Sequence, residues 1–487
     1  MTLTAAPVSA RADDPAPLPP EVDASFRSLS LHFAWKSGFW LLVGAFLSLL
    51  ASVKLHAPGM MSESAWLTYG RLLPAGWSAV VYGFAGQIGM ALGLWLVARA
   101  ARRPLQGGLL VFFGCVLWNI GVLVGVVAIL LGHSTGREWL EMPAGAMGFL
   151  VVGAGLIGAC GWVTHAGRQE SRTYPSSWFV LLALIAFVWF GTVALAMLAG
   201  GESQGVVQVL VQRWFANGAA KLWLGSLAVG CILFLLPSLA GRPLASRQLA
   251  LYTFWCLVLF APWAVAHHGD PFPRWVVSAG VGGRTLAVIG LAALALNLWK
   301  TAEGTCGRWC TSTRGLLICS AAGAYILGGA LEYVASLRPV ASVVRLTWTT
   351  QGLDWLWVGG AASLAFLALL PDFVARTSGR TLNPALVRWH AILTLAGIGL
   401  IALPLILAGV IQGLSMARAA STYMDVLRGS LHAVRLSSLG FTLLALAQFL
   451  LVGALFGVAR QLLNDGLATL RQWSAVPVNG KRAEARS

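Results

Sequence analysis

Continuous apolar stretches, each about 20 residues long, recur along this chain, and each is long enough to cross a hydrocarbon core about 30 Å thick. Twelve can be read, at about 36–55, 75–98, 108–131, 143–165, 177–199, 217–240, 248–267, 275–298, 315–335, 347–370, 388–411 and 434–459. That periodicity constrains the fold more than any other feature. A lipid-exposed backbone must satisfy its polar groups internally, and continuous runs do so as helices, whereas a barrel needs short alternating strands. Composition agrees. Only 10% of the 487 residues are charged, against about 25% in an ordinary soluble protein. A mean hydropathy of +0.77 over this length leaves more apolar surface than one soluble core can hide. A soluble enzyme, a disordered chain and a secreted disulfide scaffold are all excluded. The expected fold class is an all-α membrane protein of about twelve transmembrane helices.

Residues 1–30, rich in Pro, Ala and Asp and lacking an apolar core, read as a disordered tail rather than a signal peptide. Residues 31–460 read as one membrane domain and 461–487 as a second solvated tail. With the N-terminus cytoplasmic, the tails, the loops after even-numbered segments and the span residues assigned to that side carry 21 of the 33 Lys and Arg, and the opposite side carries 11, Lys221 being left within a span. That asymmetry predicts both termini inside a bacterial cytoplasmic membrane. The net charge of +16 therefore reflects loop topology and contact with anionic lipid. No basic run interleaves with aromatics, so nucleic acid is not an expected partner.

Of seven cysteines, five sit in apolar segments as small hydrophobes. Cys306 and Cys310 share one polar loop, but two thiols without further ligands are a weak metal signal. The eight histidines lie mostly near segment ends, where an interfacial imidazole is unremarkable. His267-His268 stands apart. Adjacent His on a helix point about 100° apart, so both reach one metal only if a neighbouring helix supplies a third ligand.

Around that pair, Arg213-Trp214-Phe215-Ala216-Asn217, Gly241-Arg242-Pro243, Thr253-Phe254-Trp255 and Trp263-Ala264 follow in order. Tyr69-Gly70-Arg71-Leu72-Leu73-Pro74, Arg137-Glu138-Trp139, Ser177-Trp178-Phe179 and Gly409-Val410-Ile411-Gln412-Gly413-Leu414 complete a collinear set over about residues 30–460. The set resembles subunit I of the cbb-type (C-family) haem-copper oxidases. The resemblance implies a subunit I-like bundle with two haems and a copper ion. It also shows which ligands this chain lacks. The position of the helix-2 haem ligand corresponds to Gly76, and the His-x-His of the tenth segment to Thr349 and Gln351. The first copper His corresponds to Ala216 and the redox-active Tyr to Ala261. Only the two remaining copper positions, His267 and His268, keep imidazoles.

Neither Gly nor Ala can ligate haem iron. The expectation is therefore a non-catalytic, cofactor-free paralogue serving as a structural or assembly subunit of a respiratory complex. Its expected partners are lipid, a catalytic oxidase-like subunit and a membrane-anchored c-type cytochrome. Two alternatives stay open. One is an active oxidase or nitric oxide reductase subunit whose b-type haems and copper use unconventional ligands. The other is a proton- or ion-conducting protein. Charged residues within the spans bear on the choice, since each costs about 2.5–3.5 kcal/mol on insertion. Lys221 and Arg284 are expected to fill the polar space of the missing metals and to pair with Glu332 or Asp354. The competing reading is that they snorkel to water from helix ends.

Overall fold

A computed structural model describes residues 18–169, 172–199, 201, 203–418 and 420–475, with side chains to residue 465. Among them every regular element is helical. In chain order these are α1 Pro20–Ala24, α2 Arg27–Lys54, α3 Tyr69–Ala101, α4 Gly108–Leu130, α5 Ala144–Ala166, α6 Pro175–Leu198, α7 Gly205–Ala240, α8 Arg247–Phe260 and α9 Arg274–Ala302. Then come α10 Cys306–Trp309, α11 Thr313–Ser336, α12 Arg338–Val344, α13 Trp348–Ser378, α14 Pro384–Met416 and α15 Tyr423–Ala475. Eleven of these are long and apolar enough to span a membrane. They coincide with eleven of the twelve segments read from the sequence.

The exception is the seventh segment, expected over 248–267. Its helix, α8, has 14 residues, about 21 Å at 1.5 Å per residue, so it reaches only part of the way across. Pro262 is the reason. A proline disfavours helical geometry at the residue before it and offers no amide of its own, so the helix stops at Phe260 and a tight turn, Ala261–Trp263, follows. His267 and His268 consequently lie in irregular chain, not on a helix, and their expected 100° helical separation does not apply.

Three helices form the interior: α3, α7 and α13, each largely enclosed by the others. Each carries a π-helical stretch at mid-length, at Ala79–Gly86, Ala219–Gly225 and Leu356–Ser363. A π turn widens the helix and frees a carbonyl. In α13 the Ser363 hydroxyl donates to the Val358 carbonyl five residues back at 2.7 Å, and in α7 Ser226 does the same to Lys221 at 3.5 Å. All three helices end on a left-handed residue, Arg102, Gly241 or Gly379, with an Arg directly after it. The sequences Arg103-Pro104-Leu105, Arg242-Pro243-Leu244 and Arg380-Thr381-Leu382 then lead into the next outer helix. The bundle is thus a threefold pseudo-repeat of inner helix followed by outer helices.

The N-terminal reading needs correction. Residues 1–17 and 476–487 lie outside the described residues, but residues 20–30, expected in a disordered tail, are helical and packed. Val22 and Phe26 are buried. Asp23 receives the Trp95 indole N–H at 2.8 Å and pairs with Arg99 at 2.6 Å. Two apolar anchors and one charge clasp outweigh the Pro-rich composition on which the tail reading rested. At the other end α15 continues as helix to Ala475, into the segment expected as a tail. Replacing Asp23 with Ala should release α1, costing about 1.5–3 kcal/mol for a hydrogen bond to a charged group. Faster limited proteolysis near residues 20–26 in detergent would report it.

Candidate functional site

The polar groups that lipid cannot solvate gather around the broken end of α8. Arg284 of α9, 4% exposed, reaches across to the irregular chain after Phe260. It donates to the carbonyls of Ala266 at 2.5 Å and Ala264 at 2.7 Å, and its Nη2 lies 3.3 Å from Nδ1 of His267. Arginine can only donate, so His267 Nδ1 accepts and its other nitrogen carries the proton. The His267 backbone amide donates to Asp270 at 2.6 Å. Asp270 is fully enclosed and forms ion pairs with Arg213 at 2.7 Å and Arg345 at 2.6 Å. Burial works to raise the Asp270 carboxyl, but Arg213 and the His267 amide hold it below the ordinary aspartate range.

A second cluster adjoins the first. Lys221, in the π stretch of α7, forms an ion pair with Glu332 of α11, and its ammonium lies 5.9 Å above the Trp357 ring. Arg284 Nε stands 4.0 Å from the same carboxylate. Lys221, Arg284 and Glu332 line a cavity of about 240 Å³ that also admits Ala216, Thr349 and Asp354. Lys221 therefore faces the interior, and its partner is Glu332. Asp354 lines the cavity without an ion-pair partner among the described residues. Of the two counter-charges expected from the sequence, Glu332 is the one that pairs with Lys221.

A larger cavity of about 410 Å³ lies beyond, bounded by Gln351, Trp77, Glu138, Glu141 and Asp354. Trp77 sits edge-on between Trp139 and Trp355, with ring centres 5.6 and 5.5 Å away. Glu141 accepts the Trp139 amide at 3.0 Å. Burial pushes the Glu141 carboxyl up to about 8, partly offset by backbone hydrogen bonds, with Glu138 adding to the rise.

These residues do not fit two haems and a copper. A Cβ at Gly76 would lie 2.7 Å from Ser48 Oγ and 2.9 Å from its amide, so that position is where α3 packs onto α2, with no room for an imidazole. Thr349 spends its hydroxyl on the Ile406 carbonyl at 3.3 Å, and the Ala261 carbonyl accepts from Asn217 at 2.6 Å. Ala261 itself is buried and lies outside the 240 Å³ cavity. His267 borders that cavity with one nitrogen already engaged, whereas His268 does not border it. Among the described residues only Cys306, Cys310 and Cys319 bring three His, Cys, Asp or Glu donor atoms together, and they lie elsewhere.

Glu138, Arg213, Asp270 and Arg345 were not singled out as site residues from sequence. The acidic Arg137–Glu141 loop, and Arg345 as the only charge between Pro339 and Thr347, were the available signals.

Two outcomes follow from this arrangement. Glu332→Gln leaves Lys221 enclosed and unpaired and should cost about 3–5 kcal/mol in detergent unfolding, while Lys221→Met with Glu332→Leu should recover most of it. Glu141 ionises near 4.5 when unfolded but near 8 in the fold, so its contribution to stability is lost as pH rises between those values. The Glu141→Gln protein should accordingly show a flatter melting-temperature profile from pH 5 to pH 9 and a higher melting temperature than the parent at the alkaline end.

Comparison with known proteins agrees with this architecture. A family model described as Cytochrome C and Quinol oxidase polypeptide I matches residues 28–443. The chain is 25% identical over 418 residues to a cytochrome c oxidase subunit 1 homolog, bacteroid, of Bradyrhizobium diazoefficiens, spanning 82% of this chain and 76% of that one. It is 26% identical over 260 residues to the Cbb3-type cytochrome c oxidase subunit CcoN1 of Stutzerimonas stutzeri, covering 51% and 54% of the two chains. A solved heme-copper terminal oxidase dimer shares the fold at a TM-score of 0.61 and 15% identity, over 87% of this chain and 84% of that one. With eleven spanning helices around a threefold core and a family match over most of its length, this chain belongs to the cytochrome c and quinol oxidase polypeptide I family, as a divergent subunit I-like membrane protein.

Proposed function

We propose that the chain is a non-catalytic, haem-free subunit that acts as a structural or assembly partner within a respiratory membrane complex. One observation supports the reading: where the family resemblance calls for ligands, Gly76 is pressed on Ser48 and Nδ1 of His267 is held by Arg284, while the ion pair of Lys221 and Glu332 lines the cavity beside Ala216 and Thr349. Losing ligands by drift alone leaves a polar void, which is costly in lipid. Here part of that space is taken by ion pairs instead, Lys221 with Glu332 and Arg284 beside the same carboxylate, which supports a bundle that stands without a cofactor. A retained subunit I shape then serves its outer surface, where α9 turns most of its apolar residues outward and exposes Trp275 and Trp299.

In this reading the partners are a catalytic oxidase-like subunit and a membrane-anchored c-type cytochrome, within a bacterial cytoplasmic membrane. Both termini face the cytoplasm, in keeping with the excess of Lys and Arg in the loops after even-numbered segments.

The test is a pyridine haemochrome assay on the chain purified in mild detergent, normalised per polypeptide, with co-purifying subunits identified by mass spectrometry. The expected result is no haem on this chain and any haem on its partners. About two b-type haems per copy would overturn the proposal and return the active-oxidase alternative.

A further inference from the structure

At the end of α9 opposite the broken α8, the loop to α11 brings three sulfurs together. Cys306 and Cys310 are joined in a disulfide, and Cys319, on the second turn of α11, has its sulfur 3.6 Å from that of Cys310. The three Sγ atoms lie within 4.8 Å of one another. Cys306 is exposed, and the other two are half-buried.

The surroundings hold this cluster in place. Arg242, from the turn after α7, donates to the carbonyls of Thr301 at 2.6 Å, Lys300 at 2.8 Å and Glu303 at 2.6 Å, tying down the frayed end of α9. Trp309 is buried, and its carbonyl is pressed against Gly315, where a side chain would collide with it. That close approach brings Cys310 up against α11 and so beside Cys319. The Ser312 side chain caps α11 by accepting from the Gly315 amide at 3.1 Å.

We propose that Cys306, Cys310 and Cys319 form a three-thiolate site for one Cu(I) ion, opened when the Cys306–Cys310 bond is reduced. A metal–sulfur bond of about 2.3 Å in a trigonal plane sets the sulfurs about 4 Å apart, and the sulfurs here need only small side-chain rotations to reach that spacing. Soft thiolates select a soft ion. Zinc would require a fourth ligand, and among the described residues no further His, Cys, Asp or Glu donor joins the three. The chemistry balances in two steps. A dithiol transfers two electrons and two protons to the disulfide and is itself oxidised to a disulfide. Cu(I) then displaces the three thiol protons without changing its oxidation state. With the termini cytoplasmic, the site faces the compartment where thiols are kept reduced. The site is independent of whether the bundle binds haem.

The experiment uses the full chain in detergent, reduced with a dithiol, desalted without oxygen and titrated with Cu(I) against bicinchoninate. One Cu(I) per chain should be withheld from the competitor, and none by the chain left oxidised. Cys319→Ser should weaken retention at least tenfold while eluting as a folded monodisperse species. Cys231→Ser, at a thiol buried in α7, should retain copper like the parent. Equal retention by the Cys319→Ser and parent chains, retention by the oxidised chain, or uptake of zinc in place of copper would each overturn the proposal.

Discussion

The Arg284 side chain is the contact on which the interior depends. Lipid offers no hydrogen bonds, so irregular backbone at membrane depth persists only where protein groups satisfy it. Proline ends α8 after 14 residues, and the chain that follows presents carbonyls with no helical partner. Arg284 takes two of them, orients His267 and neighbours Glu332. Glu332 in turn neutralises Lys221, and Asp270 ties the same loop to Arg213 and Arg345. The polar interior is therefore a connected set of charges whose members each need the others, the condition under which buried ion pairs are tolerated.

Around that set the bundle keeps the fold of a heme-copper oxidase subunit I, with cavities of about 240 and 410 Å³ in its interior. The inner helices α3, α7 and α13 each keep a π stretch, which re-aims side chains locally without breaking the helix. Gly44 on α2 and Gly76 on α3 let these two helices approach closely, the packing that small residues permit in membranes. Trp77, Trp139 and Trp355 stack edge-on beside the larger cavity.

How much of this was legible from residues alone varies by element. Eleven spans were read to within a few residues at most of their ends, because an apolar run needs only its own composition to declare itself. α8 was overextended, since a run of apolar residues continues past Pro262 although the helix does not. The N-terminal helix was missed because a Pro- and Asp-rich composition argues for a solvated chain. The Trp95 and Arg99 side chains, more than 70 residues away, hold Asp23 in place. The Cys306–Cys310 pair was visible as a weak signal. Cys319, nine residues on and inside an apolar segment, read as a small hydrophobe until folding placed it beside Cys310.

The sequence by itself determined the solvent, the class of fold, the family resemblance and the absence of imidazoles at the expected positions. Each of these follows from which residues are present and in what order along one dimension. Tertiary structure alone decided that Lys221 pairs with Glu332 rather than Asp354, and that His267 borders the cavity while His268 does not. These are distances between segments, and helix packing sets them through contacts that no local pattern encodes.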